Sequence, residues 1–541
     1  MRVLLMHRDR DFDLQQPSPW NKHVRRQDLP RDTLLQALLW NAPALTQDLE
    51  LDTLLHAMAG TDEFLFEVAQ QALLSGLRND VDTILYRQAI LKDCLNNPAV
   101  IRGLYDLMTE VAEKTRRQWW GLSSDYPGSM LYSSVDLMET FLDVLRKIRS
   151  VAEEHASGFE SEGFKALFAM LRKELNEEYL ATIKAHLKEL KFRKGVLLSA
   201  ELGNSNEGTN YVLRKTHGKK QNWFDRLVGK GPPSYTFRLD PRDEAGGKIL
   251  SEMRNRGISR VARALAQSSD HVLVFFKILR TELAFYIGCM NLQGQLVAKG
   301  MPIAFPAPRS AGARSHEFNG LYDVCLALTM DRGVAGNTVN ADGKSLVIIT
   351  GANQGGKSSF LRSIGLAQVM MQCGMFVGAE AFKAELCPAL FTHYKREEDT
   401  TMQSGKFDEE LTRMSDLADH IVPNSILLFN ESFAATNERE GSDIARQIVR
   451  ALLEKNIKIF YVTHLYEFAR GFFDEKIDGA IFLRAERQAD GTRTFRLVKG
   501  EPLETSYGED LYRQVFAVER KTRRGTTVSG FALDDSPEKR T

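Results

Sequence analysis

The chain has 541 residues, 43% of them hydrophobic and 26% charged, which is an ordinary globular balance. Such a length exceeds one small core and predicts roughly two to four domains. Formal net charge is zero, which excludes a global basic signal for nucleic acid and leaves only local patches for such contacts.

Residues 1 to 48 form an N-terminal segment interrupted by Pro and Arg. Within it, Met1 to Arg10 reads as a short strand, too short and too soon charged for a signal peptide. From 49 to about 190 the pattern is helical. Met138, Phe141, Leu142, Leu145, Ile148 and Ala152 recur at three- and four-residue steps, and Phe164, Leu167, Phe168, Leu171 and Leu175 repeat the spacing. These stripes predict a bundle core and carry no chemistry of their own.

Between about 195 and 247 the period changes. Val196–Leu202, Tyr211–Lys215 and Ser234–Leu239 read as short strands separated by Gly/Asn-rich and Pro-Pro turns. Arg214, Lys215, Lys219, Lys220, Arg226 and Lys230 face the single acid Asp225, with Trp223 and Phe224 interleaved. A basic hairpin with aromatics suits a phosphate-backbone reader, and a solvated loop has the same composition. Helical pattern returns from about 247 to 295, and Pro302, Pro306 and Pro308 read as a linker.

An α/β part follows, from about 300 to 517. The apolar β-branched run Val347–Thr350 feeds Gly351-Ala352-Asn353-Gln354-Gly355-Gly356-Lys357-Ser358, a G-x-x-x-x-G-K-[ST] phosphate loop, followed by Ser359 and a helix-compatible stretch to Met371. Glycines let backbone N–H groups curl around phosphate oxygens. Lys357 would reach the β- and γ-phosphates of ATP and Ser358 would hold Mg²⁺. A second strand, Ser425–Phe429, ends in Asn430-Glu431. Strands of this kind deliver a metal partner and a water-activating carboxylate, so Glu431 is the candidate general base and Asn430 a neutral metal partner. A third strand, Ile457–Thr463, ends in His464, placed for the γ-phosphate or the attacking water. Residues 518 to 541 read as a polar tail. The five cysteines, Cys94, Cys289, Cys325, Cys373 and Cys387, lack C-x-x-C spacing, which fits a reducing, cytoplasmic location. No apolar run reaches membrane-spanning length, so no membrane contact is expected.

These motifs together resemble the MutS family of DNA mismatch-repair ATPases. Thr350-Gly-Ala-Asn-Gln-Gly-Gly-Lys-Ser-Ser359 is similar to that family's T-G-P-N-M-G-G-K-S-T loop. Asn430-Glu-Ser-Phe-Ala-Ala-Thr-Asn-Glu-Arg-Glu-Gly441 resembles D-E-x-x-x-G-T-S-T-x-D-G, Thr463-His-Leu-Tyr-Glu467 resembles T-H-x-x-E, and Ser506-Tyr-Gly508 resembles the closing S-Y-G. Val81-Asp-Thr-Ile-Leu-Tyr-Arg-Gln88 resembles the segment that opens the family's helical core. The resemblance implies a multidomain chain. An all-α core and lever would span 49–299, with a small β clamp-like insert at 195–247. An α/β P-loop ATPase domain of the ABC type would span 300–517. It also implies ATP and Mg²⁺, slow or DNA-stimulated hydrolysis, duplex DNA as partner, and a homodimer through the ATPase domains.

Departures from the pattern set further expectations. The chain begins almost at the helical core, so no mismatch-reading or connector domain is expected, and no G-x-F-Y-E-type wedge is found. Asn430 replaces the family's Asp, and Gly405-Lys406-Phe407 stands where the family has S-T-F. Backbone and shape recognition of DNA is therefore expected, without classical mismatch reading. The alternative is a nucleotide-gated scaffold that recruits a protein and binds no DNA. An ABC- or SMC-type ATPase is disfavoured, because no L-S-G-G-Q-type signature precedes Asn430.

Overall fold

The fold is taken from a computed structural model that describes residues 1–12, 14, 33–118, 126–193, 195–205, 207–215, 235–396, 405–488 and 491–504. The helices of the first half are α1 (Thr33–Asp48), α2 (Leu51–Ala59), α3 (Glu63–Ser75), α4 (Val81–Asn96), α5 (Pro98–Gln118), α6 (Pro127–His155), α7 (Glu162–Glu174) and α8 (Glu177–Leu190). A long helix, α9 (Glu244–Ala298), and four more, α10 (Val324–Thr329), α11 (Lys357–Cys373), α12 (Lys406–His420) and α13 (Glu438–Glu454), precede α14 (Tyr466–Asp474). The strands are β1 (Leu198–Leu202), β2 (Gly208–Leu213), β3 (Ala307–Arg309), β4 (His316–Leu321), β5 (Asn337–Asn340), β6 (Leu346–Gly351), β7 (Ala381–Glu385), β8 (Leu390–Tyr394), β9 (Ile426–Asn430), β10 (Lys458–Val462), β11 (Ala480–Arg487) and β12 (Arg493–Lys499).

Two compact units result. The first takes described residues within 1–16, 58–71 and 85–291, the second those within 17–57, 72–84 and 292–541. In the first unit, α6 starts with Pro127 at a position where its missing N–H costs nothing, and buries Leu131, Val135, Met138, Leu142 and Leu145 along one face. Ser161 and Asn176 cap α7 and α8, accepting the Phe164 and Tyr179 N–H groups.

The expected strand over residues 1–10 is not formed. Three N–H groups of the N-terminal stretch go instead to one buried carboxylate. Leu5 and Met6 donate to Glu282 Oε2 at 2.5 and 3.1 Å, and Phe12 donates to Oε1 at 2.8 Å. Tyr286 and Arg87 donate to the Leu5 and Met6 carbonyls, completing the satisfaction of that segment. Residues β1 and β2 pair antiparallel as expected, but no third strand follows over Tyr235–Leu239. Tyr235 is 90% and Phe237 74% exposed, so neither face of that stretch has a layer to pack on.

In the second unit a six-stranded sheet runs β12-β11-β6-β10-β9-β8, parallel except for β12. Its central strands β6 and β10 are buried along their whole length because they are covered on both faces, as parallel sheets require. A mixed four-stranded sheet runs β3-β7-β4-β5. The proline segment expected as a linker thus contributes a strand. Pro308 sits in β3, at the sheet's edge, where a residue without an N–H is tolerated.

Candidate functional site

Register in the parallel sheet decides where the chemistry collects. Val462 of β10 is level with Ile349 of β6 on one side and with Asn430 of β9 on the other. The residues after these three positions therefore emerge together at the carboxyl ends of the strands, where open α/β sheets bind their ligands.

From β6 the chain enters the glycine loop. Gly351 has φ 107°, and a Cβ there would stand 2.9 Å from the Ala485 nitrogen, so only glycine fits. Gly356, at φ 85°, caps α11. The first turn of that helix carries Lys357 and Ser358 and leaves unpaired N–H groups facing the cavity. Lys357 is 5% exposed, and its ammonium donates to the Gly351 and Ala352 carbonyls at 3.0 and 2.9 Å. Burial lowers its pKa to about 8, opposed by Glu431 and reinforced by Arg493.

Ser358 Oγ donates to Asn430 Oδ1 at 3.0 Å. Glu431, next along, has φ 56° and donates its N–H to the Val462 carbonyl at 2.9 Å. Its Oε1 accepts from His464 Nε2 at 3.0 Å, which assigns the proton of that ring to Nε2. This bond is the main reason the Glu431 pKa lies below the ordinary carboxylate value.

A cavity of about 930 Å³ joins these groups. Asn353, Gln354, Gly355, Gly356, Lys357, Ser358 and Ser359 line it together with Glu431 and His464. Asn430 sits behind Ser358 through their hydrogen bond. The opposite wall comes from residues that carried no signal in the sequence: Tyr322, Met330, Val334 and Phe495 among them. Phe495, at φ 59°, packs its backbone against Gly356. Two bonds hold its strand over the loop. Arg493 Nε donates to the Asn353 carbonyl at 2.7 Å, and Leu497 N–H to Asn337 Oδ1 at 2.8 Å. Asp323 caps α10 beneath the wall and accepts from Arg362 Nε at 2.5 Å. A nucleotide base needs an apolar or aromatic surface, and Phe495 with Met330 supplies one.

The donor set suits a magnesium nucleotide. Main-chain N–H groups and one ammonium are donors that suit anionic oxygens, and a hydroxyl beside an amide oxygen offers hard oxygen ligands of the kind magnesium takes. Among the described residues no cluster of three or more His, Cys, Asp or Glu side chains could hold a metal by itself, so phosphate oxygens and water would complete the shell.

The described start of the basic segment, Arg214 and Lys215, lies apart in sequence and in the other unit. Arg214 Nε donates to Ser199 Oγ at 2.9 Å and Lys215 pairs with Glu189 at 3.3 Å, both exposed. Lys219, Lys220, Arg226 and Lys230, with Trp223 and Phe224, fall outside the described residues, as does Ser506-Tyr-Gly508. No described helix is long and apolar enough to cross a membrane.

Two family models match the chain, the MutS2 N-terminal domain over residues 79–299 and MutS domain V over residues 347–519. The chain is 25% identical to the DNA mismatch repair protein MutS of Leptospira interrogans over 265 residues, 46% of this chain and 30% of that protein. It is 28% identical to the DNA mismatch repair protein MutS of Streptococcus mutans over 405 residues, 71% of this chain and 46% of that protein. It is 31% identical to the Endonuclease MutS2 of Streptococcus uberis over 172 residues, 31% of this chain and 22% of that protein. The matched stretch is less than half the length of each of these curated relatives.

Proposed function

Because the chain belongs to the MutS family, we propose that it binds and hydrolyses ATP and uses that cycle to grip duplex DNA in repair or recombination. The observation that carries this reading is the meeting of Lys357, Ser358, Glu431 and His464 around one cavity at the carboxyl ends of β6, β9 and β10.

In this reading the N–H groups of Gly351–Ser359 wrap the phosphates, and the N-terminus of α11 adds its partial positive charge. Lys357 leaves the loop carbonyls it now holds and takes the β- and γ-phosphates. Glu431 accepts a proton from the attacking water, and His464 holds the carboxylate's direction through its Nε2–H bond. Ser358 and Asn430 would hold Mg²⁺, which supplies charge neutralisation on the phosphates. Asn430 brings no negative charge, so the metal would be bound weakly and turnover would be slow.

Two ATPase domains would pair head to tail in a homodimer. DNA would be held by backbone and shape, through the basic segment Arg214–Lys230 that follows β2, without reading a mismatch. Electrophoretic shifts with linear, mismatched and branched duplexes, each with and without ATP, test the reading. An ATP-dependent shift that does not prefer the mismatch supports it. The absence of any DNA shift, with ATP still bound, would favour a nucleotide-gated scaffold that recruits a protein.

A further inference from the structure

The turn that carries Glu431 is held in an unfavourable backbone conformation. Glu431 has φ 56° and Phe433 φ 63°, and neither is glycine. Such a residue persists only where its surroundings fix it. Three main-chain bonds do the fixing. Glu431 N–H reaches the Val462 carbonyl at 2.9 Å, and the Ser432 carbonyl accepts from Tyr461 Oη at 2.9 Å. Both of these partners lie on β10. The third partner is on a different element. Phe433 N–H donates to Oε2 of Glu410, on α12, at 2.7 Å.

Glu410 is an anomaly on its helix. It shares the buried face of α12 with Met414 and Leu417, at the four- and seven-residue steps where an apolar side chain is expected, and it is 2% exposed. A carboxyl group placed there loses its hydration, and burial duly raises its pKa. The Phe433 amide is what its side chain gains in return. A second tie runs parallel to the first. His393 Nε2 donates to the Glu410 carbonyl at 3.0 Å, and its Nδ1 lies 2.7 Å from Ser432 Oγ. Burial among these groups holds the His393 pKa near 3, so the ring is neutral with its proton on Nε2. The Ser432 hydroxyl proton is then shared between Nδ1 and the His393 carbonyl, 2.6 Å away.

We propose that Glu410 is a positioning residue: by holding the Phe433 amide it fixes the left-handed turn at Glu431–Phe433, and so aims the Glu431 carboxylate into the cavity. A displacement of α12 would pass to Glu431 through this bond. The role rests on the reading of Glu431 as the group that activates water.

The test compares Glu410→Leu, which keeps the size and removes the acceptor, with Glu410→Gln, which keeps an acceptor oxygen. Hydrogen–deuterium exchange, binding of a fluorescent ATP analogue, and ATP turnover are measured on the full chain. Glu410→Leu should raise exchange across residues 430–436 about tenfold and leave α11 unchanged, because local opening is confined to the turn. Its kcat should fall about 10- to 100-fold, the scale of a misaligned catalytic group, with nucleotide affinity kept within about twofold. Glu410→Gln should stay within about threefold of wild type in kcat. Wild-type exchange in Glu410→Leu, or an equal rise in every peptide with both variants, would overturn the proposal. A wild-type protein that binds the analogue but turns over no ATP would overturn the hydrolytic reading, while the exchange pattern still decides whether Glu410 holds the turn.

Discussion

Ser358 Oγ donates a 3.0 Å hydrogen bond to Oδ1 of Asn430, joining the first turn of α11 to the end of β9. In the proposed reading these two oxygens would hold magnesium, and both are uncharged. An Asp at 430 would add a full negative charge at the same place. Asn430→Asp should therefore lower the magnesium concentration for half-maximal turnover by about tenfold or more. A magnesium titration at saturating ATP measures it, and an unchanged midpoint would remove Asn430 from the metal site.

Glu431 is separated from the phosphate loop in sequence by α11, β7, β8, α12 and β9, and it shares a cavity with it in space. Glu431→Gln keeps the shape and removes the base. It should retain ATP and cut turnover about 10²-fold or more. Pre-steady-state phosphate release against nucleotide retention on a filter separates these two effects. Turnover at the wild-type rate would sink the assignment.

The sequence revealed one side of the site and not the other, for a physical reason. Gly351 to Ser358 is local, since strand, turn and helix are consecutive, although the atoms that exclude a Cβ at Gly351 belong to Arg484 and Ala485. Asn430-Glu431 and His464 were legible because parallel strands of one sheet end at one edge. Tyr322, Val334 and Phe495 were not, because they face the cavity from the residue after β4, a loop and β12, and apolar wall residues look like any core residue. Glu410 left a faint signal that was readable in principle, a carboxylate on the apolar face of Met414 and Leu417. The N-terminal segment reads as a short strand in sequence, whereas in the fold Glu282, 270 residues or more away, accepts the N–H groups of Leu5, Met6 and Phe12.

Lys357 gives the site a pH dependence. Burial lowers its pKa from 10.5 to about 8 in the nucleotide-free protein. Between about 8 and 10.5 the folded chain binds fewer protons than the unfolded one, so this group's destabilising burial is relieved as pH rises. Phosphate binding needs the proton back. Affinity for ATP should therefore be level below pH 8 and weaken above it, by up to about tenfold per pH unit. Titrations of a fluorescent ATP analogue from pH 7 to 9.5 measure this. Lys357→Arg, whose guanidinium keeps its proton, should show no inflection. An inflection that survives in that variant would assign it to another group.

The basic segment Arg214–Lys230, read in sequence as a hairpin loop, carries the proposed DNA contact. Contacts to phosphates release counterions, so affinity should fall with salt at a log–log slope of about −0.9 per phosphate neutralised. Reversing Lys219 and Lys220 to Glu should weaken all duplexes about equally and flatten that slope, because phosphate contacts carry no sequence information. Basal ATP turnover should be nearly unchanged. Affinity and slope that survive the double reversal would leave the hairpin a solvated loop.

The most direct test is ATP turnover by the purified chain and its Lys357→Ala variant, measured as released phosphate with magnesium present. Lys357 is buried at the loop, 3.0 and 2.9 Å from the carbonyls of Gly351 and Ala352, with no other evident task than to meet phosphate. Slow but measurable hydrolysis by wild type, abolished in Lys357→Ala together with most nucleotide binding, is the result expected. Equal phosphate release by both proteins would contradict the account at its centre.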